Sequence, residues 1–151
     1  MASMTSAATF GRPAYIPVRY HADTEVAAVE RTVKQAYGLL LFAYIVAPVV
    51  AGLDKFFDLL TDWDRYLAPA IASALPIDPK LFMSGVGVME VLAGMLVAIK
   101  PSVGGVIVAV WLWGIVVNLL LLHGHADIAL RDFGLSLGAL ALARLARRLG
   151  R

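Results

Sequence analysis

The chain has 151 residues, of which 60% are hydrophobic, and its mean hydropathy is +0.79. Soluble domains contain only about 45–50% apolar residues, so this excess indicates that lipid is the main solvent. The chain has no cysteine, which excludes disulfides, zinc–thiolate sites, iron–sulfur clusters and a redox-active thiol. The formal net charge is +2. Its basic residues flank apolar runs instead of forming an isolated stripe, so nucleic acid is not an expected partner.

The first 35 residues are polar and predict an N-terminal arm followed by a short amphipathic helix. Residues 1–22 contain scattered glycine and proline, which is typical of irregular chain. From Asp23, a helix-capping residue type, Val26, Val29 and Val33 recur at helical spacing and predict an apolar stripe lying on the membrane surface. No apolar core precedes a cleavage site, so we expect the arm to stay attached and to lie in the cytoplasm.

Four apolar runs follow, each close to the roughly 20 residues that a helix needs to cross a bilayer. They predict membrane spans at residues 36–53, 80–99, 102–122 and 127–145. Pro48 is expected to kink the first span. Gly134 and Gly138 in the fourth form a small-xxx-small pair, for which packing within the bundle is favoured over a dimer contact. The predicted fold is an all-α bundle of four transmembrane helices, with residues 36–151 as its membrane domain.

A connecting segment, residues 56–79, separates the first two predicted spans. Phe56, Leu59 and Trp63 would share one face of a helix, while Asp58 and Asp62 would fall largely on the other. The segment is short, charged and interrupted by proline, so it predicts an additional helix lying in the outer membrane interface instead of a fifth span. A lid and a docking surface are both compatible with this pattern.

The basic residues predict the orientation, because lysine and arginine near membrane spans favour the cytoplasmic side. Basic residues precede the first predicted span, occupy the turn between the second and third, and follow the fourth. The ones closest to the spans are Arg31, Lys34, Lys100, Arg144, Arg147 and Arg148. We therefore expect a multi-pass protein of the bacterial inner membrane with both termini in the cytoplasm.

Glu90 lies near the middle of the second predicted span, and an ionised carboxylate facing lipid there would cost roughly 2.5–3.5 kcal/mol. We therefore expect it to face the bundle interior. Gly87 and Gly94 lie three residues before and four residues after it, so both share its helix face and allow neighbouring helices to approach. The pattern predicts an internal polar site around Glu90.

Further polar residues are predicted to converge on the outer half of the bundle, near Glu90. They are Asp54, Lys55, Asn118, Arg131 and Asp132. Arg131 has three possible carboxylate partners, which are Asp127 one turn before it, Asp132 and Glu90. One interpretation is a pocket for a quinone headgroup, a small anion or a proton relay. The alternative is an ion-pair network that fixes helix register and insertion.

Two histidines, His123 and His125, lie in the turn before the fourth predicted span, but with Asp127 they make at best an incomplete ligand set. No metal site and no bis-histidine haem site is predicted for the chain alone. The sequence also has no nucleophile–histidine pair, phosphate-binding glycine loop or metalloprotease motif. No catalytic residue is therefore predicted.

Three short segments resemble the DoxX/DoxD-like family of small four-helix bacterial membrane proteins. They are GLDKF at residues 52–56, MEVLAG at 89–94 and DIALRD at 127–132. The resemblance implies a four-helix bundle, quinone-linked sulfur oxidation in some relatives, and oxidative-stress or membrane oxidoreductase assemblies in others. It also implies that Lys55, Glu90, Arg131 and Asp132 are the functional positions.

We therefore expect an accessory membrane subunit of a quinone-linked redox complex, with an internal polar site and with quinone or lipid as the candidate ligand. Its expected partners are the lipid bilayer and other membrane-protein subunits. A purely structural subunit of a large respiratory or photosynthetic assembly is the main alternative. A small transporter is a third, but four short spans leave little room for a pathway without oligomerisation.

Overall fold

The computed structural model describes residues 18–150, with side chains from residue 23, and this part of the chain is helical and contains no strand. The all-α prediction is confirmed for these residues. The α-helices are α1 (Val18–Asp54), α2 (Pro69–Ala72), α3 (Pro79–Ile99), α4 (Pro101–Leu122) and α5 (Ala126–Arg148). The predicted arm lies largely outside the described residues, although α1 already begins at Val18.

Helix α1 combines two elements that the sequence predicted separately, the surface helix from Asp23 and the first span at 36–53. It is one continuous helix of 37 residues that contains Pro48. No glycine or proline lies between Asp23 and Gly38, so nothing in that stretch interrupts the backbone hydrogen bonds.

The chain divides into two compact units, residues 1–32 and 33–151. In the described part of the first unit, the side chains of residues 23–32 are all exposed, including those of Val26 and Val29 on the predicted apolar stripe. The second unit contains the rest of α1, the connecting segment and the other helices, and it holds the core.

Within the part of the chain that the structure describes, three helices are long and apolar enough to cross a membrane: residues Asp23–Asp54 within α1, then α3 and α4. They coincide with the first three predicted spans and support a membrane protein. Helix α5 has 23 residues, enough for a span, but it carries several charged residues towards its two ends. They are Asp127, Arg131, Asp132, Arg144, Arg147 and Arg148.

The core of the second unit forms where small residues let helices approach closely. On α5, Ala139, Leu142 and Ala146 are fully buried. A Cβ atom added at Gly105 of α4 would lie 2.7 Å from the carbonyl oxygen of Ala139, so α4 and α5 pack with their backbones close together. Glycine and alanine, rather than bulky apolar residues, lie at this contact.

The two glycines of the small-xxx-small pair of α5 have different surroundings. A Cβ at Gly138 would collide with the hydroxyl of Tyr44, which donates a hydrogen bond to the carbonyl of Leu135. A Cβ at Gly134 would meet nothing. Gly138 therefore admits a side chain of α1 into the bundle, in line with packing inside the molecule, whereas Gly134 has no such neighbour.

Helices α1 and α3 cross at a pair of glycines. A Cβ at Gly52 would lie 2.5 Å from the carbonyl oxygen of Gly87, and a Cβ at Gly87 would lie 2.5 Å from that of Gly52. Two α3 turns further on, a Cβ at Gly94 would lie 2.7 Å from the Val49 side chain. Because no other residue type fits this crossing, it fixes how α1 and α3 align.

The prediction of one interfacial helix across the connecting segment is wrong. The segment instead contains a 3-10 turn, Trp63–Tyr66, and the single turn of α2. Asp54 at the end of α1 accepts hydrogen bonds from the backbone N–H groups of Leu59 and Leu60, and Asp58 adopts a φ of 51°. These contacts turn the chain back over the end of α1, and a continuous helix is incompatible with them.

Alanine at either crossing glycine is expected to destabilise the protein by about 1–3 kcal/mol, since the added Cβ would force the α1 and α3 backbones apart. The matched control is Gly38→Ala, because a Cβ at that α1 position meets nothing and alanine favours a helix. Unfolding of Gly52→Ala and Gly87→Ala in detergent would be compared with unfolding of this control. Equal stability of all three variants would contradict the close crossing.

Candidate functional site

A cavity of about 800 Å³, called the central cavity here, lies in the second unit among α1, the connecting segment, α3, α4 and α5. Most of its lining is aliphatic or aromatic. The side chains with polar atoms in the lining are Tyr44, Lys55, Thr61, Trp63, Tyr66, Glu90, Trp111, Asn118, Arg131 and Asp132. A large apolar cavity with a few polar groups is the usual form of a small-molecule site.

Lys55 and Glu90 form a buried ion pair in the wall of the central cavity. The Nζ atom lies 2.6 Å from Oε2, and only 3% of the lysine side chain and 8% of the glutamate side chain are exposed. Each residue follows its crossing glycine by three positions, Lys55 after Gly52 and Glu90 after Gly87. The glycine crossing therefore brings one turn of α3 against the end of α1 and makes the two charges meet.

The lysine of the buried ion pair is also covered by an aromatic ring. Its Nζ atom lies 3.6 Å from the centroid of the Trp63 ring, a cation–π geometry. The indole Nε1 of Trp63 donates to Oδ2 of Asp54 at 2.8 Å. Asp54 thus positions Trp63, the residue that covers Lys55. Asp54 itself does not line the central cavity.

Asn118 fixes the second half of the connecting segment to α4. Its Oδ1 accepts from the backbone N–H of Ala68 at 2.9 Å, and its Nδ2 donates to the carbonyl of Tyr66. The Tyr66 ring in turn meets the edge of His125 at a centroid distance of 5.6 Å. Each end of the amide makes one hydrogen bond to the connecting segment, so Asn118 holds this segment against the cavity that it also lines.

Asp132 and Arg131 lie on the α5 side of the cavity and differ in exposure. Asp132 is buried, whereas 67% of the Arg131 side chain is exposed. Their contact, Nε to Oδ1, is 3.5 Å long, at the limit of a hydrogen bond. Of the alternatives for Arg131, the structure shows the local contact with Asp132, while Glu90 pairs with Lys55 instead.

Trp111, near the middle of α4, also lines the central cavity. Its indole nitrogen is buried and interacts with the Glu90 carboxylate, but it meets no acceptor in full hydrogen-bond geometry. A buried donor whose hydrogen bond is poorly aligned loses part of the stabilisation that a well-aligned bond gives. The sequence signal was its place near the centre of an apolar span, away from the interfacial position that tryptophan favours.

Acidic residues gather outside the cavity, on the surface of the connecting segment. Partial burial, followed by the neighbouring carboxylate of Asp62, raises the pKa of Asp64. Lys80 pairs with Asp58 at 3.0 Å, but 64% of the lysine side chain is exposed. Within residues 23–150 no three potential ligands of the His, Asp or Glu type come together as a metal site.

Comparison with protein-family models, curated proteins and solved structures finds no match to this chain. Membership of the DoxX/DoxD-like family therefore stays a prediction based on three short segments. In the structure two of these segments meet directly, because GLDKF supplies Lys55 and MEVLAG supplies Glu90. The third, DIALRD, lines the same cavity through Arg131 and Asp132.

Removing one partner of the buried ion pair is expected to cost about 3–5 kcal/mol, because the other charge stays buried without its counter-ion. Lys55→Met and Glu90→Leu should each be strongly destabilised, and the double variant should recover most of the loss. The measurement is the free energy of unfolding of the three variants in one detergent.

The control for this cycle is Lys80→Met, which removes a lysine from an exposed ion pair and should change stability little. Losses that simply add in the double variant would contradict a direct energetic coupling between Lys55 and Glu90.

Proposed function

We propose that the protein is an integral membrane accessory subunit that holds a quinone-type ligand in the central cavity for a quinone-linked redox complex. The observation that carries the proposal is a mainly apolar cavity of about 800 Å³ whose wall contains the buried ion pair of Lys55 and Glu90. Apolar walls suit an isoprenoid amphiphile, and a few fixed polar groups suit its headgroup.

The donors in the cavity match the headgroup of a quinone, whose carbonyl oxygens accept hydrogen bonds. The Lys55 ammonium has three N–H donors, and Glu90 takes one of them at 2.6 Å. The indole N–H of Trp111 interacts with Glu90 but makes no hydrogen bond of full geometry. A carbonyl oxygen placed near Glu90 would offer this buried donor a second acceptor.

The accessory role follows from what the chain itself contains. Without cysteine, it has no thiol and no ligand for an iron–sulfur cluster of the usual kind. The polar groups of the cavity can bind and orient a quinone and exchange protons with it. Electrons would come from a partner subunit of the complex.

The proposal includes a four-span topology in the bacterial inner membrane, with both termini in the cytoplasm. Helix α5 has the length of a span, and its small buried residues face α4, itself an apolar helix of 22 residues. Its charges lie towards the two ends of the helix, where long side chains reach the interface. The connecting segment then lies on the outer side.

Quinone binding is expected to quench tryptophan fluorescence in a saturable way in phosphatidylcholine nanodiscs. Trp63 and Trp111 line the cavity, whereas Trp113 does not and has 48% of its surface exposed. Trp113→Phe should remove the collisional part of the fluorescence quenching, which increases linearly with the quinone content of the nanodiscs. Trp111→Phe should instead reduce the saturable component.

Gly114→Leu tests the cavity directly, because a side chain at this cavity-lining position enters open space. It should abolish saturable quenching, whereas Gly134→Leu, at an α5 position that is also open but lies outside the cavity, should not. Linear quenching in the wild type, unchanged by Gly114→Leu, would overturn quinone binding. Recovery of only phospholipid from the purified protein would shift the function to lipid binding.

The topology can be tested by single cysteines, since the chain has none of its own. A membrane-impermeant maleimide should label Ser73→Cys and Ala126→Cys from the periplasmic side of intact cells stripped of their outer membrane. Lys100→Cys and Arg148→Cys should react only after the membrane is opened. If Arg148→Cys were labelled together with Ala126→Cys, α5 would not cross the membrane.

A further inference from the structure

A second depression lies beside the central cavity, on the surface of α3. This lateral groove has a volume of about 380 Å³, and its outer part is lined by Ile77, Leu81, Gly85 and Met89. The lining is apolar almost throughout. Because α3 is one of the helices apolar enough to span a membrane, the groove opens where lipid chains would surround the protein.

The lateral groove and the central cavity share three lining residues, Phe82, Val86 and Trp111. These side chains are therefore a wall one residue thick between lipid and the interior. Phe82 and Val86 are four residues apart, as are Gly85 and Met89, so the two pairs lie side by side in one stripe along α3. At Gly85 the stripe has no side chain, and a Cβ there would meet nothing within 4 Å.

We infer that the lateral groove takes the apolar tail of the ligand whose head lies in the central cavity, and that the tail passes between Phe82, Val86 and Trp111. The inference rests on the proposed function and adds to it the class of ligand, a long-chain isoprenoid quinone, and its route from the bilayer. A long isoprenoid tail extends well beyond its headgroup, so a head bound beside Glu90 would leave part of the tail to run from the cavity towards the bilayer.

The chemistry of the groove favours a chain over other occupants. A polar molecule would find almost no hydrogen-bond partner along its lining, and a helix of a partner protein is about 10 Å wide and would need a larger surface. An isoprenoid tail needs only shape and apolar contact. The lateral groove is continuous with the central cavity, where the head lies, because the three shared residues line both.

Trp111 marks the point where the head gives way to the tail. Its ring lines both spaces, while its buried indole nitrogen interacts electrostatically with Glu90 on the cavity side. One residue therefore offers a donor to the head and an apolar surface to the first part of the tail. This arrangement sets the direction in which the ligand lies, with the head towards the buried ion pair.

The experiment compares a long-chain quinone with an analogue that keeps the headgroup but carries a single isoprene unit. Both are titrated by mole fraction into nanodiscs that contain Trp113→Phe protein, and saturable quenching is read out. Gly85→Leu fills the groove at a position with room for a side chain. It should weaken binding of the long-chain quinone about tenfold and leave binding of the short analogue within about twofold.

Two further variants make the result specific. Gly114→Leu fills the cavity and should abolish binding of both ligands, and Gly134→Leu should change neither. Equal binding of the long-chain quinone by Gly85→Leu and its parent would overturn the tail route, while saturable binding of the short analogue would still support the proposed function. If the parent protein binds neither ligand saturably, both proposals fall.

Discussion

The ion pair of Lys55 and Glu90 is the constraint around which the other features of the second unit are arranged. Two charges that are almost fully buried are tolerated only when they meet closely. The crossing of α1 and α3 at Gly52 and Gly87 makes this meeting possible, and the hydrogen bonds of Asp54 bring Trp63 over the lysine. A helix crossing, a charge pair and a folded-back loop are thus parts of one structure.

Sequence patterns were sufficient for features that depend on a single helix. Depth in an apolar run placed Glu90 in the interior, and its neighbouring glycines predicted a close helix contact, both of which the structure shows. The partner of Glu90 could not be chosen this way. Lys55 and Arg131 were both available, and the choice depends on how α1 crosses α3, a property of two helices together.

The connecting segment shows why a spacing pattern failed. The apolar residues of this segment recur at helical intervals, but the chain folds back over the end of α1 instead of continuing as a helix. The side chain of Asp54 competes for the backbone N–H groups of Leu59 and Leu60, and Asn118, fifty residues after its partner Ala68, holds the rest of the segment. Trp111 was equally hard to assign, since its role depends on a cavity formed by several elements.

The fold-back over the end of α1 gives the molecule two very different sides. Lifting the connecting segment would remove Trp63 from Lys55 and break the hydrogen bonds of Asp54 and Asn118 together. The cavity therefore opens on this side only when several contacts are lost at once. On the side of the lateral groove, the wall of the cavity consists of three side chains, Phe82, Val86 and Trp111, which can change rotamer. If the ligand enters by the proposed route through the lateral groove, its solubility in the bilayer would be the first criterion by which it is selected.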